Sequence, residues 1–135
     1  MAHTTLAWDG ARRLGPIELG MPLKEVVAVL PGHGSLDITD DDDPPYYWRS
    51  DALGLSVQFW REIVIAITAK HGFFLDGANL IGMSADEAIR RGGGEVSRDG
   101  GDPIDIVSTT RGLELYEEAG RILMVVLAEG TQMDE

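Results

Sequence analysis

The chain has no cysteine, which excludes a disulfide framework and thiolate chemistry. No apolar run approaches the roughly eighteen residues that a membrane span needs. The first residues, Met1 to Asp9, show neither the basic stretch nor the apolar core of a signal peptide, so the expected location is the cytoplasm, with no membrane contact. Histidine is scarce. His3, His33 and His71 form no pair at metal-binding spacing, and each reads as a loop residue. Basic residues are few as well: 11 against 23 acidic in 135 residues, a net charge of −12. They occur as singles and three Arg pairs or near-pairs, and a nucleic-acid binder needs them clustered to neutralise phosphates, so direct DNA or RNA binding is not expected. The acidic excess favours solubility and can steer a basic partner electrostatically.

What is present is enough apolar sequence for one core: 44% of residues are hydrophobic and spread along the chain. It is organised as a repeat. Ile17-Glu-Leu-Gly-Met21 leads into a helix, and Leu80-Ile-Gly-Met83 leads into another, 62 residues on from Gly20 to Gly82. Gly54-Leu-Ser-Val-Gln-Phe59 runs into Ile63 to Ile67, and Gly112-Leu-Glu-Leu-Tyr116 into Ile122 to Leu127, 58 residues on from Gly54 to Gly112. The predicted helices are Pro22 to Leu30, with Leu23, Val26, Val27 and Leu30 on one face, and Ala85 to Arg91, opened by the capping box Ser84-Ala-Asp-Glu87. Gly92-Gly93-Gly94 reads as a linker. The expected fold is α+β: one domain over 1–135, with two imperfect helix-plus-β-hairpin repeats, about 15–70 and 76–128, forming one antiparallel sheet with short helices on one face.

Strand periodicity suggests what the sheet does with its sides. Leu55, Val57 and Phe59 alternate with Ser56, Gln58 and Trp60, whereas Ile63 to Ile67 and Ile122 to Leu127 are continuously apolar. Tight turns at Arg61-Glu62 and Ala119-Gly120 set Trp60 beside Ile63 and Tyr116 opposite Leu123. One face then holds Leu55, Val57, Phe59, Val64, Leu113, Leu115, Met124 and Val126 and suits the helices. The other holds Trp60, Ile63, Ile65, Tyr116, Leu123 and Val125 with Gln58 and Glu114. Two short helices cannot cover both sides, so this second face is expected to meet a protein partner or another copy of the chain, with Trp60 and Tyr116 leading.

Asp40, Asp41, Asp42 and Asp43 precede two prolines and then Tyr46, Tyr47 and Trp48. The acidic run must be an exposed loop entering a strand near Tyr46. It lacks the alternating ligands, central Gly and closing Glu of a calcium loop, so no metal is expected. Its chemistry suits a solvated charge run, or an acidic contact for a basic cleft with Tyr46, Tyr47 or Trp48 inserted alongside. No catalytic constellation is visible: Ser35 and Ser84 are not in a nucleophile elbow, and Gly92-Gly93-Gly94 lacks the lysine of a phosphate loop. Neither an enzyme nor a cofactor is expected.

The Ile-x-Leu-Gly-Met-x-x-x-Glu-Val segment followed by a Gly-Leu-x-Val-x-Phe hairpin, twice over, resembles the small tandem-repeat proteins of the β-lactamase-inhibitor-like architecture. Single units of those proteins resemble the SmpA/OmlA outer-membrane assembly lipoprotein domain. Bacterial immunity proteins, which neutralise toxins, are similar in size and acidity. The inhibitor and lipoprotein groups are exported and carry cysteine, unlike this chain, so the resemblance implies architecture and protein binding rather than export. It implies two helical units on one side of a sheet whose concave opposite side grips the partner. The expected function is an immunity or inhibitor protein blocking a basic toxin or enzyme through an acidic, aromatic-bearing sheet face, as a monomer or homodimer. The rival expectations are a small-molecule binder or enzyme with a pocket between the repeats, lined by Trp48, Trp60 and His71, and a self-associating structural domain.

Overall fold

Alternation at Leu55, Val57 and Phe59 produces a strand with one buried edge of side chains, and the same pattern at Leu113 and Leu115 produces another. The computed structural model describes residues 6–10, 12–29, 35–37, 46–50, 53–101 and 103–128. Its strands are β1 (Arg13–Leu14), β2 (Ile17–Glu18), β3 (Ser35–Asp37), β4 (Tyr46–Ser50), β5 (Leu55–Trp60), β6 (Ile63–Ala69), β7 (Phe74–Leu75), β8 (Ala78–Asn79), β9 (Glu95–Arg98), β10 (Ile104–Thr109), β11 (Leu113–Glu118) and β12 (Arg121–Ala128). The helices are α1 (Leu23–Val29) and α2 (Ala85–Arg91). Eight strands form one antiparallel sheet in the order β3-β4-β5-β6-β12-β11-β10-β9, and β1-β2 and β7-β8 are separate two-stranded ribbons. Over the described residues the architecture is therefore α+β, mostly antiparallel sheet with two short helices. None of its described helices is long and apolar enough to cross a membrane.

Each helix is hooked to a hairpin by its Gly-Met segment. Gly20 N–H donates to Val64 O, Val64 N–H to Met21 O, and Leu23 N–H to Glu62 O, at 2.8 to 2.9 Å. Gly82 N–H donates to Ile122 O, Ile122 N–H to Met83 O, and Ala85 N–H to Gly120 O, at 2.7 to 3.0 Å. Gly20 and Gly82 sit at φ 91° and 88°, a left-handed conformation that costs any other residue about 1–2 kcal/mol. The turns between β5 and β6 and between β11 and β12 have two residues each with positive φ, the geometry whose twist matches a hairpin. α2 begins with Glu87 N–H donating to Ser84 Oγ, 3.3 Å. The capping box is only half formed, because the Glu87 carboxylate turns instead to Arg90 and Arg91.

The core lies on the helix side. Trp48, Val57, Ile67, Leu127, Leu113 and Val107 come from six adjacent strands, and Val26 of α1 and Ala88 of α2 join them. Leu6, Trp8, Leu14, Ile17 and Phe73 close the cluster, with Trp8 tilted against Phe73 at 5.6 Å.

Each hairpin carries a bulge, and the second bulge corrects the face assignment of its hairpin. β5 and β6 pair Gln58 with Ala66 and then Phe59 with Val64, leaving Ile65 as the extra residue. β11 and β12 pair Tyr116 with Met124 and then Glu117 with Ile122, leaving Leu123 extra. An extra residue reverses the alternation beyond it. Val125 and Leu127 are therefore buried, Met124 and Val126 lie on the opposite face, and Tyr116 stands opposite Met124 rather than Leu123.

Candidate partner-binding face

The side of the sheet away from the helices is built from alternate residues of six strands. In register, Tyr47, Gln58, Ala66 and Ala128 form one row. Arg49, Ser56, Thr68, Val126, Glu114 and Ser108 form the central row. Ile106, Tyr116 and Met124 form a third. All are half-buried except Arg49, which is exposed with its guanidinium 5.4 Å from the Tyr47 ring centroid.

Among the described residues this face carries charges of both signs. Arg49 stands on one flank and Lys70 beyond Thr68, whereas Glu114 stands across β12 and Glu118 at the end of β11. Other carboxylates cluster on the helix side. Arg98 binds Asp105 at 2.6 Å, Glu95 at 2.9 Å and Glu117 at 3.5 Å, securing the edge strand β9. Hydrogen bonds from Arg98 hold the Glu95 and Asp105 carboxyls below their ordinary range, and the same bonds hold the Arg98 guanidinium in its charged form.

Trp60 is 47% exposed at the end of β5, beside Ile63 at 38%, with the Arg61 guanidinium 6.0 Å from its ring centroid. Ile63 also borders an opening of about 540 Å³ that Val27 and Pro22 of the α1 region share. Tyr116 lies half-buried on the far side of β6 and β12, and its phenol is pushed up by burial and then by Glu114. Ordinary strand rise and spacing put Trp60 and Tyr116 roughly 25 Å apart, so they do not share one patch. Gln58 and Glu114 do lie on the open face.

No family model, curated protein or solved structure matches the chain. Its chemistry must therefore be read from its own residues. Trp48 is corrected from a contact to a core residue: it is 2% exposed, paired with Leu36 and Val57, and sealed under the helix side. A pocket lined jointly by Trp48, Trp60 and His71 does not form, because Trp60 and His71 stand beyond opposite ends of β6 and Trp48 is buried. Asp40, Asp41, Asp42 and Asp43 lie outside the described residues, as does the Tyr46 side chain; the Tyr46 backbone pairs with Phe59 in β4.

Among the described residues no three His, Asp or Glu side chains gather as metal ligands. Among the described residues the buried polar side chains are Ser50 and Thr109, and both brace turns: Leu53 N–H donates to Ser50 Oγ at 3.2 Å, and Leu113 N–H to Thr109 Oγ1 at 3.1 Å. Gly93 and Gly94 are more than a linker, because Thr110 Oγ1 donates to the Gly93 carbonyl at 2.6 Å and ties the end of α2 to the turn before β11. Nothing in the apolar run Ile122 to Leu127 marks Leu123 as a bulge. The basic flank was legible only as two isolated residues, Arg49 on a strand whose faces were unassigned and Lys70 beyond the expected strand Ile63 to Ile67.

Proposed function

We propose that the chain is two copies of one ribbon, helix and four-strand unit, and that it acts in the cytoplasm as an immunity or inhibitor protein that occludes a basic toxin or enzyme. Support for the duplication comes from corresponding hydrogen bonds at Gly20 and Gly82, bulges at Ile65 and Leu123, and buried hydroxyls at Ser50 and Thr109. Thr68 and Val126, one repeat interval apart, face each other where β6 meets β12, as a two-fold relation between copies requires. The observation that carries the binding role is a broad sheet with, among the described residues, its core and helices on one side and an apolar row, Ile106, Tyr116 and Met124, on the other. No reaction is catalysed in this reading. The partner's apolar surface covers the row, its basic group meets Glu114 and Glu118, and the net charge of −12 speeds encounter.

Affinity capture with the tagged full chain tests this. A protein captured by wild type and by Val27→Asp on the helix side, but lost with Tyr116→Arg plus Met124→Asp, supports the face. Capture that survives the face variant, or fails throughout, overturns it. A second reading, the homodimer, is favoured by the placement of cations on one flank and carboxylates on the other. A two-fold axis along the strands brings unlike charges together. Light scattering that finds a dimer in wild type and a monomer in the face variant selects that reading over a foreign partner.

A further inference from the structure

Asp-Gly steps occur at Asp9-Gly10, Asp76-Gly77 and Asp99-Gly100. Glycine has no Cβ to shield its nitrogen, so at each step the glycine amide can attack the preceding carboxyl group and close a five-membered succinimide ring. Hydrogen bonds restrain two of the three steps. Arg13 N–H donates to Asp9 Oδ1 at 3.1 Å, and Gly100 N–H, the nucleophile of the last step, donates to Asp105 Oδ1 at 2.6 Å. Asp76 and Gly77 are exposed, and among the described residues neither the Asp76 carboxylate nor the Gly77 N–H makes a hydrogen bond. We infer that Asp76-Gly77 is a modification site, at which the native chain converts spontaneously to isoaspartate.

The backbone of the turn favours the reaction. β7 and β8 pair Leu75 with Ala78, which leaves Asp76 and Gly77 as the whole loop, at φ 53° and 84°. Two positive φ values make this a type I′ turn. Ring closure needs the Gly77 nitrogen eclipsed with Asp76 Cβ, which for an L residue means ψ of about −120°, the value at the first central position of a type II′ turn with nearly the same φ. Rotating the single peptide plane between Asp76 and Gly77 converts one turn to the other. Both suit a two-residue hairpin, so the strands stay in place, and Gly77 takes either sign of φ. Beyond its chain neighbours, no atom lies within 4 Å of where a Gly77 Cβ would stand. The other described non-glycine residues at positive φ are Arg61, Glu62 and Ala119, and none has a carboxyl group on Cβ.

In the reaction the Gly77 nitrogen bonds to Asp76 Cγ, and the carboxyl OH leaves with the amide hydrogen as water. A second water then opens the ring at the Asp76 backbone carbonyl carbon, so the main chain runs through Cβ and a free α-carboxyl group remains. The added main-chain atom breaks the register of Leu75 with Ala78 and of Phe74 with Asn79. It also disturbs Asn79 Oδ1, which accepts Phe73 N–H at 2.9 Å and Ile81 N–H at 3.1 Å.

The site is tested by incubating the full chain in oxygen-18 water at neutral pH, native and in urea, and mapping its peptides with fragmentation that cleaves the isoaspartate Cα–Cβ bond. Each ring opening leaves one heavy oxygen, so every Asp-Gly step is timed separately. In urea the three steps should react at similar rates. In the native chain Asp76 should lead Asp9 and Asp99 by about tenfold, the equilibrium cost of releasing a hydrogen bond to a charged group. Asp76→Asn should react faster at the same step, with ammonia leaving in place of water, and Asp76→Glu should abolish heavy-oxygen uptake there. Native Asp76 reacting no faster than Asp9 or Asp99 overturns the inference, as does uptake in that peptide that persists in Asp76→Glu. The occlusion proposal does not depend on this outcome.

Discussion

Replacing Val125 by Ala tests the bulge at Leu123 directly. Val125 is fully buried between Ala69 and Leu115, so the truncation removes two carbons from a packed core. At about 0.8 kcal/mol for each, plus about 1 kcal/mol for the cavity left behind, the cost is about 2.5 kcal/mol. An unfolding entropy of about 2.1 cal/mol/K per residue converts that to a drop in Tm of about 9 °C for a chain of this length. Met124→Ala removes more atoms, yet Met124 is half-exposed on the open face, and its loss should cost below about 1 kcal/mol, or about 3 °C. Thermal melts followed by circular dichroism compare the two. Equal losses, or a larger loss from Met124→Ala, would refute the bulge and restore uninterrupted alternation along β12.

The same contrast holds for the tryptophans: Trp48→Ala should cost about 3–5 kcal/mol in urea melts and Trp60→Ala below about 1 kcal/mol. Gly54 has φ 63°, and a Cβ there would lie 2.4 Å from the His71 ring. Gly54→Ala should therefore destabilise by more than the about 1–2 kcal/mol of the left-handed conformation, and His71→Ala should recover the excess in a double-mutant cycle. Because Arg98 holds Glu95 and Asp105 below their ordinary values, their contribution is present above those values and is lost as pH falls through the lowered ones. The stability difference between wild type and Arg98→Met should be flat near neutrality and shrink below about pH 4 in urea melts. Tyr116 has the opposite sign: folding favours its neutral phenol, so this contribution is present below about pH 10 and is lost as pH rises through the raised value, and Glu114→Gln should lower the NMR titration midpoint of Tyr116.

The sequence by itself determined the local features. Gly-Met before each helix, the two-residue turns at Arg61-Glu62 and Ala119-Gly120, and the alternation of Leu55, Val57 and Phe59 depend on backbone conformation and near neighbours, and each lies where the sequence places it. The helix α2 ends where Gly92 begins for the same reason. What the tertiary structure decided is pairing at a distance. A bulge is a relation between two strands, so the apolar run around Leu123 could not show that Val125 turns inward and Met124 outward. Trp48 looked like a contact beside an acidic run, and only its alignment between Leu36 and Val57 buried it. The open face depended on both effects. That no described helix packs on it was legible from there being only two short helices, but its charge was not. Arg49, Lys70, Glu114 and Glu118 are far apart in the chain, and the strand order β4-β5-β6-β12-β11 is what sets the cations on one flank and the carboxylates on the other.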